Sequence, residues 1–137
     1  MVQIESELVR LLMRVGYTAA WNGFHQDAIS IFDGVGAVRP ESEIPVIGAA
    51  VVAMLSGHAD VAVKTLEDGA LPLNPKSQLV RAHLGAALRL RGDEDAGISI
   101  LRAVAAQTED LDAARMAANV MSMPIEQLKP SLNSTRT

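Results

Sequence analysis

The chain has 137 residues, 49 % of them hydrophobic but only 3 % aromatic, and a formal net charge of −4. That length suits one domain with a real hydrophobic core, and abundant alanine with few aromatics favours helix over sheet. The acidic balance speaks against nucleic acid, which needs a basic face. The lack of cysteine excludes a disulfide frame, a thiolate metal site and a cysteine nucleophile. The opening Met1-Val2-Gln3-Ile4-Glu5 lacks the basic and apolar regions of a secretory signal, so the expectation is a cytoplasmic protein with no membrane contact.

Residues 2–21 place Ile4, Leu8, Leu11, Leu12, Val15 and Ala19 at three- and four-residue steps, the period of a helix. Asn22-Gly23 ends it in a turn. A second helix is expected over about 25–38, with Ala28, Phe32 and Val35 on one face and Pro40 as its stop. The third occupies the stretch to Leu55, which carries no charge after Glu43. Ser42 is its expected cap, and Pro45 falls in the first turn, where a missing N–H costs little. A helix apolar on every side must be enclosed, and one of about twelve residues is too short to cross a bilayer, which takes about 20. This helix is therefore expected at the centre, with one face in the core and another free to meet a partner.

Ser56-Gly57 closes the third helix, and Asp60 opens a fourth with Ala62, Leu66 and Ala70 inward and Pro72 and Pro75 marking its end. The fifth is expected over 76–91, with Leu79, Leu84, Leu88 and Leu90 as its large apolar members. Gly92-Asp93 turns the chain into a sixth helix over 94–106, which uses Ile98, Leu101 and either Val104 or Ala105. Thr108-Glu109-Asp110 supplies capping oxygens and carboxylates for a seventh over about 111–121. Beyond Pro124 the expectation is at most one short turn and then a frayed polar tail, giving a single domain over 1–123 and a tail over 124–137.

The turns carry a period. Gly23, Gly57 and Gly92 lie 34 and 35 positions apart (57 − 23, 92 − 57), and Pro40 and Pro75 lie 35 apart (75 − 40). Five residues after the first two glycines stand Ala28 and Ala62, and four further on stand Phe32 and Leu66. In the third unit Leu101 keeps the large place while Gly97 replaces the alanine. Leu84-Gly85, Leu88 and Gly92 match the Leu-Gly…Tyr…Gly framework of tetratricopeptide repeats, with Leu88 for the aromatic. Gly16 and Ala19, then Ala50 and Ala53, hold the equivalent places earlier. The chain thus resembles an all-α, right-handed stack of three tetratricopeptide-like hairpins plus a C-terminal capping helix. The alternative is an unrelated helical bundle with coincident turns.

In such a stack the first helix of each pair lines a concave face. That geometry assigns Arg10, Met13, Tyr17 and Trp21 to the first unit of a groove, Ile47, Val51, Met54 and Leu55 to the second, and Leu79, Ala82, Ala86 and Arg89 to the third. The lining is mainly apolar, with the two arginines toward its edges, and it suits an amphipathic helix or extended apolar segment better than a carboxylate, which needs lysines and asparagines here. The competing reading is that these side chains are ordinary core. Catalytic signals are weak: His25, His58 and His83 are scattered and read as surface residues, and the acidic clusters near Asp93 and Glu109 sit where helices begin. Neither an enzyme, a metal nor a cofactor is expected.

Val15-Gly16-Tyr17, Gly23 with Asp27-Ala28, Arg39-Pro40 and Leu84-Gly85 with Gly92-Asp93 further resemble the small tetratricopeptide proteins of bacterial type III secretion, the needle-subunit chaperones and Hrp-type proteins. The resemblance implies a groove that sequesters the apolar helix of a self-polymerising needle-type subunit, with a small helical cochaperone as a second partner. Met13, Tyr17, Ile47, Val51, Met54, Ala82 and Ala86 would form that surface. A self-associating scaffold, homodimeric when unliganded, is the alternative from another class.

Overall fold

The computed structural model describes residues 2–129, with side chains from Glu5 onward. Among the described residues there are eight α-helices and no strand: α1 (Val2–Trp21), α2 (His25–Val38), α3 (Ile44–Leu55), α4 (Ala59–Lys64), α5 (Gln78–Arg91), α6 (Glu94–Ala106), α7 (Leu111–Ser122) and α8 (Ile125–Leu128). Each of α1 to α6 packs on the next, α8 packs on α5, and α1, α3, α5 and α7 also touch in succession. None of the described helices is long and apolar enough to cross a membrane.

The three turn glycines adopt positive φ, 86° at Gly23, 83° at Gly57 and 107° at Gly92. That is the left-handed region, which costs any other residue a clash between Cβ and carbonyl. The closing hydrogen bonds repeat as well. The amides of Phe24, His58 and Asp93 donate to Ala19, Ala53 and Leu88 at 2.8, 2.8 and 2.9 Å, and each glycine N–H donates three residues back. This double closure satisfies carbonyls that the end of a helix would otherwise leave unpaired. One turn is used three times.

Between the turns, small residues meet large ones. The Phe32 ring lies so close to α1 and α3 that a Cβ on Gly16 would fall 2.5 Å from it, and one on Gly48 2.8 Å. A Cβ on Gly85 would likewise meet Leu101 at 2.5 Å. Phe32, Leu66 and Leu101, the large members of the three units, are all buried. Tyr17 leans on Phe32 with ring centroids 5.2 Å apart and planes at 60°, and burial pushes its phenol up to about 12.

Two local features depart from the expected pattern. The stripe of α1 that carries Leu8, Leu11 and Val15 faces outward, while Met13, Gly16 and Ala20 face the core. Second, α4 continues as a π-helical turn over Thr65–Ala70, where the Leu71 amide reaches the Leu66 carbonyl five residues back. The longer second period places its extra residue between Leu66 and Gly85, the interval that contains this wider turn. Elsewhere the adjustments are small. Ser77 caps α5 by accepting from the Val80 amide, and Asp110 caps α7 by accepting from Ala113. At α3 the Ser42 hydroxyl accepts from Ile44, and Glu43 holds the cap position while its carboxylate accepts from Asn74 Nδ2 at 2.9 Å and not from the helix amides.

Two glycine substitutions separate the two roles. Gly92→Ala meets no neighbour within 4 Å, so its cost is conformational, about 1 kcal/mol in a urea titration. Gly48→Ala drives a methyl into Phe32 and is expected to cost more, about 2–3 kcal/mol. Equal costs would contradict this division.

Candidate functional site, an apolar cleft closed by the C-terminal helices

Of the twelve residues of α3, eight are buried, so the uncharged central helix is mostly core. Ile47 is 1 % exposed and Ala82 0 %, which removes both from any surface a partner could reach. Met13 is also buried, in the main core cluster, and Tyr17 is half-buried against Phe32. The remaining assigned side chains diverge. Trp21, Val51, Met54, Leu55 and Ala86 come together around one cleft of about 330 Å3, while Arg89 does not line it.

The cleft has two walls. Val51, Met54 and Leu55 from α3 and His83, Ala86 and Leu90 from α5 form the first. Met116 and Val120 from α7, with Met123, Gln127 and Leu128 around α8, form the second, and Trp21 stands at the edge, 60 % exposed. Three of these side chains are methionines, whose flexible thioethers adapt to irregular apolar contacts. No aspartate, glutamate, lysine or arginine is among the lining residues.

Sequence reasoning missed the second wall and one polar residue. On α5 the face that lines the cleft runs through His83, the buried Ala86 and Leu90, one position beyond the expected Ala82, Ala86 and Arg89 for two of its three members. Helical side chains lean toward the N-terminus, which displaces the surface they cover. His83, expected at the surface, is largely enclosed. Its Nδ1 lies 2.9 Å from the Leu79 carbonyl. Burial pushes the imidazole below its ordinary value, and the hydrogen bond to Leu79 partly opposes that.

Arg89 has a different task. It is 6 % exposed, and its Nη1 donates to the carbonyls of Val120 and Met123 at 2.6 and 2.7 Å while Nε donates to Glu94 Oε1 at 2.9 Å. The guanidinium thus satisfies carbonyls at the negative end of α7 and ties that helix to α5. Gly97 makes this possible, since a Cβ there would come within 2.8 Å of Arg89 Cγ. The departure from alanine in the third unit has its reason in that passage.

A second cleft, of about 570 Å3, lies between α1 and the start of α3 and includes Arg10, Arg14 and Arg39. Arg39 approaches Glu5 at 3.9 Å. Among the described residues no group of three histidine or carboxylate side chains is placed to hold a metal ion. Comparison of the chain with protein-family models and with curated proteins gives no match.

Arg89→Met is expected to cost roughly 2–4 kcal/mol in a urea titration, because it strips charged donors from buried carbonyls. Glu94→Gln is expected to cost less than about 1 kcal/mol, since Glu94 is half exposed. Equal costs would show that the ion pair, and not the helix-end contact, matters most.

Proposed function

We propose that this chain is a tetratricopeptide-like chaperone of the type III secretion kind, which covers the amphipathic helix of a needle-type subunit and delays its polymerisation. The supporting observation is the cleft walled by α3, α5, α7 and α8, apolar apart from His83 and Gln127. Repeated hairpin turns and the succession of contacts through α1, α3, α5 and α7 support the stacked arrangement. A subunit that polymerises through an apolar stripe needs that stripe hidden until assembly, and a cleft of this size accepts a few large side chains from one face of a helix. Catalysis has no part in this reading. The proposed setting is the bacterial cytoplasm, with a small helical cochaperone as a second partner.

The reading is narrower than the sequence alone implies. Capture would use the C-terminal end of the stack, with Met54, Ala86, Met116 and Met123 as contacts, while Met13, Ile47 and Ala82 hold the fold together. Met54→Glu, at a partly exposed position, is expected to keep the helical circular dichroism spectrum and to weaken capture at least tenfold, by about 1.4 kcal/mol or more. The assay is copurification with a co-expressed small helical subunit of the needle type. Undiminished capture by the variant would contradict the proposal.

One observation favours a second reading, self-association. Leu8, Leu11 and Val15 present an apolar stripe to solvent at 52, 53 and 45 % exposure, on a helix whose main packing partners among the described residues are α2 and α3. On that reading, sedimentation equilibrium gives a mass that rises with concentration, and Leu11→Asp returns it to the monomer. A monomeric mass for the unsubstituted protein at high concentration would exclude it.

A further inference from the structure

Within the enclosed part of the cleft, His83 offers a hydrogen-bonding atom that the fold does not use. The Leu79 carbonyl can only accept, so the His83 nitrogen 2.9 Å from it, Nδ1, carries the proton. In the neutral ring Nε2 is then an acceptor. Among the described residues no enclosed side-chain nitrogen or oxygen lacks a partner, and His83 makes no other hydrogen bond. Nε2 therefore reaches open space, and the place of His83 in the lining makes that space the cleft.

The charged groups around it do not compensate. From α3 no charged residue is available, and none of the charged residues of α4 or α6 lines the cleft. Asp112 and Arg115 of α7 pair with each other at the surface, and Glu126 of α8 is exposed. Arg89 is committed to α7 and Glu94. Gln127, the other polar lining residue, is exposed.

We propose that His83 is a specificity-determining residue of the cleft: the helix that docks there carries one side-chain donor, a hydroxyl, amide or indole N–H, within its apolar stripe and opposite Nε2. This rests on the docking function proposed above. A wholly apolar stripe would cover Nε2 without replacing its contact with water, a penalty that a donor removes. Discrimination by an unpaired buried polar atom is stronger than discrimination by a methylene. The same atom makes docking sensitive to acid. A bound helix excludes water from an imidazole that already resists protonation, so the bound state favours the neutral ring further. Affinity is then full above the pKa of the free protein and falls as pH drops below it, by up to about tenfold per unit.

The test is selection from a displayed library of amphipathic helices against the folded protein at about pH 7.5, repeated with His83→Leu. Expected is enrichment of one Ser, Thr, Asn, Gln or Trp at a fixed place in the stripe for the unsubstituted protein and its loss for the variant. Selected peptides should bind the unsubstituted protein progressively more weakly as pH is lowered through and below the depressed pKa of His83, and the variant with little change. Nitrogen-15 NMR of His83 gives a readout independent of any substitution, with a protonated Nδ1 and a bare Nε2 in the free protein. Selection of wholly apolar helices that bind independently of pH overturns the role of His83 and leaves the docking function standing. Recovery of no helix at all overturns both.

Discussion

The close approach of helices around Phe32 is the constraint on which the first half of the structure rests. Its ring fills space that exists only because Gly16 and Gly48 lack side chains, and it joins α1, α2 and α3 through one group. Dispersion and hydrophobic burial both reward such contact, and both fall steeply when packing is lost. Leu101 against Gly85 repeats the arrangement in the third unit. With only four aromatic residues in the chain, one of them is spent where it touches three helices at once.

The cleft follows from how the stack ends. The last hairpin is covered by α7 and the single turn of α8, and Arg89 fixes the end of α7 through its carbonyls. That anchoring sets the distance between α7 and the pair α3 and α5. The space left between them is lined mostly by apolar side chains, with His83 and Gln127 the polar exceptions. The Arg89 tie beside a methionine lining is compatible with the proposed docking of an amphipathic helix.

Helix boundaries and turns were legible because their causes are local. A glycine forced to positive φ, a proline stop or an aspartate at a helix start leaves its mark within a few residues, and α1, α2 and α6 appear over the expected spans. Orientation was less legible. Leu8, Leu11 and Val15 have the helical period of a core face, yet the inner face of α1 is set by Gly16, whose value lies in the side chain it lacks. Five of the twelve groove residues named from sequence meet at the cleft, because stacking rotates α5 by about one position and buries Ile47 within α3. The contributions of α7 and α8 depend on contacts some thirty residues apart, such as Arg89 to Val120. The polar tail expected over 124–137 begins with α8, whose Leu128 packs on the second core cluster, and residues 130–137 lie outside the described part of the chain.

The most direct measurement is methyl NMR of the methionines while an amphipathic helix is added. Met54, Met116 and Met123 should shift together at saturation, and Met13, enclosed in the main core, should stay in place. A helix that binds while those three methyls remain unmoved would show that this cleft is not where apolar helices dock.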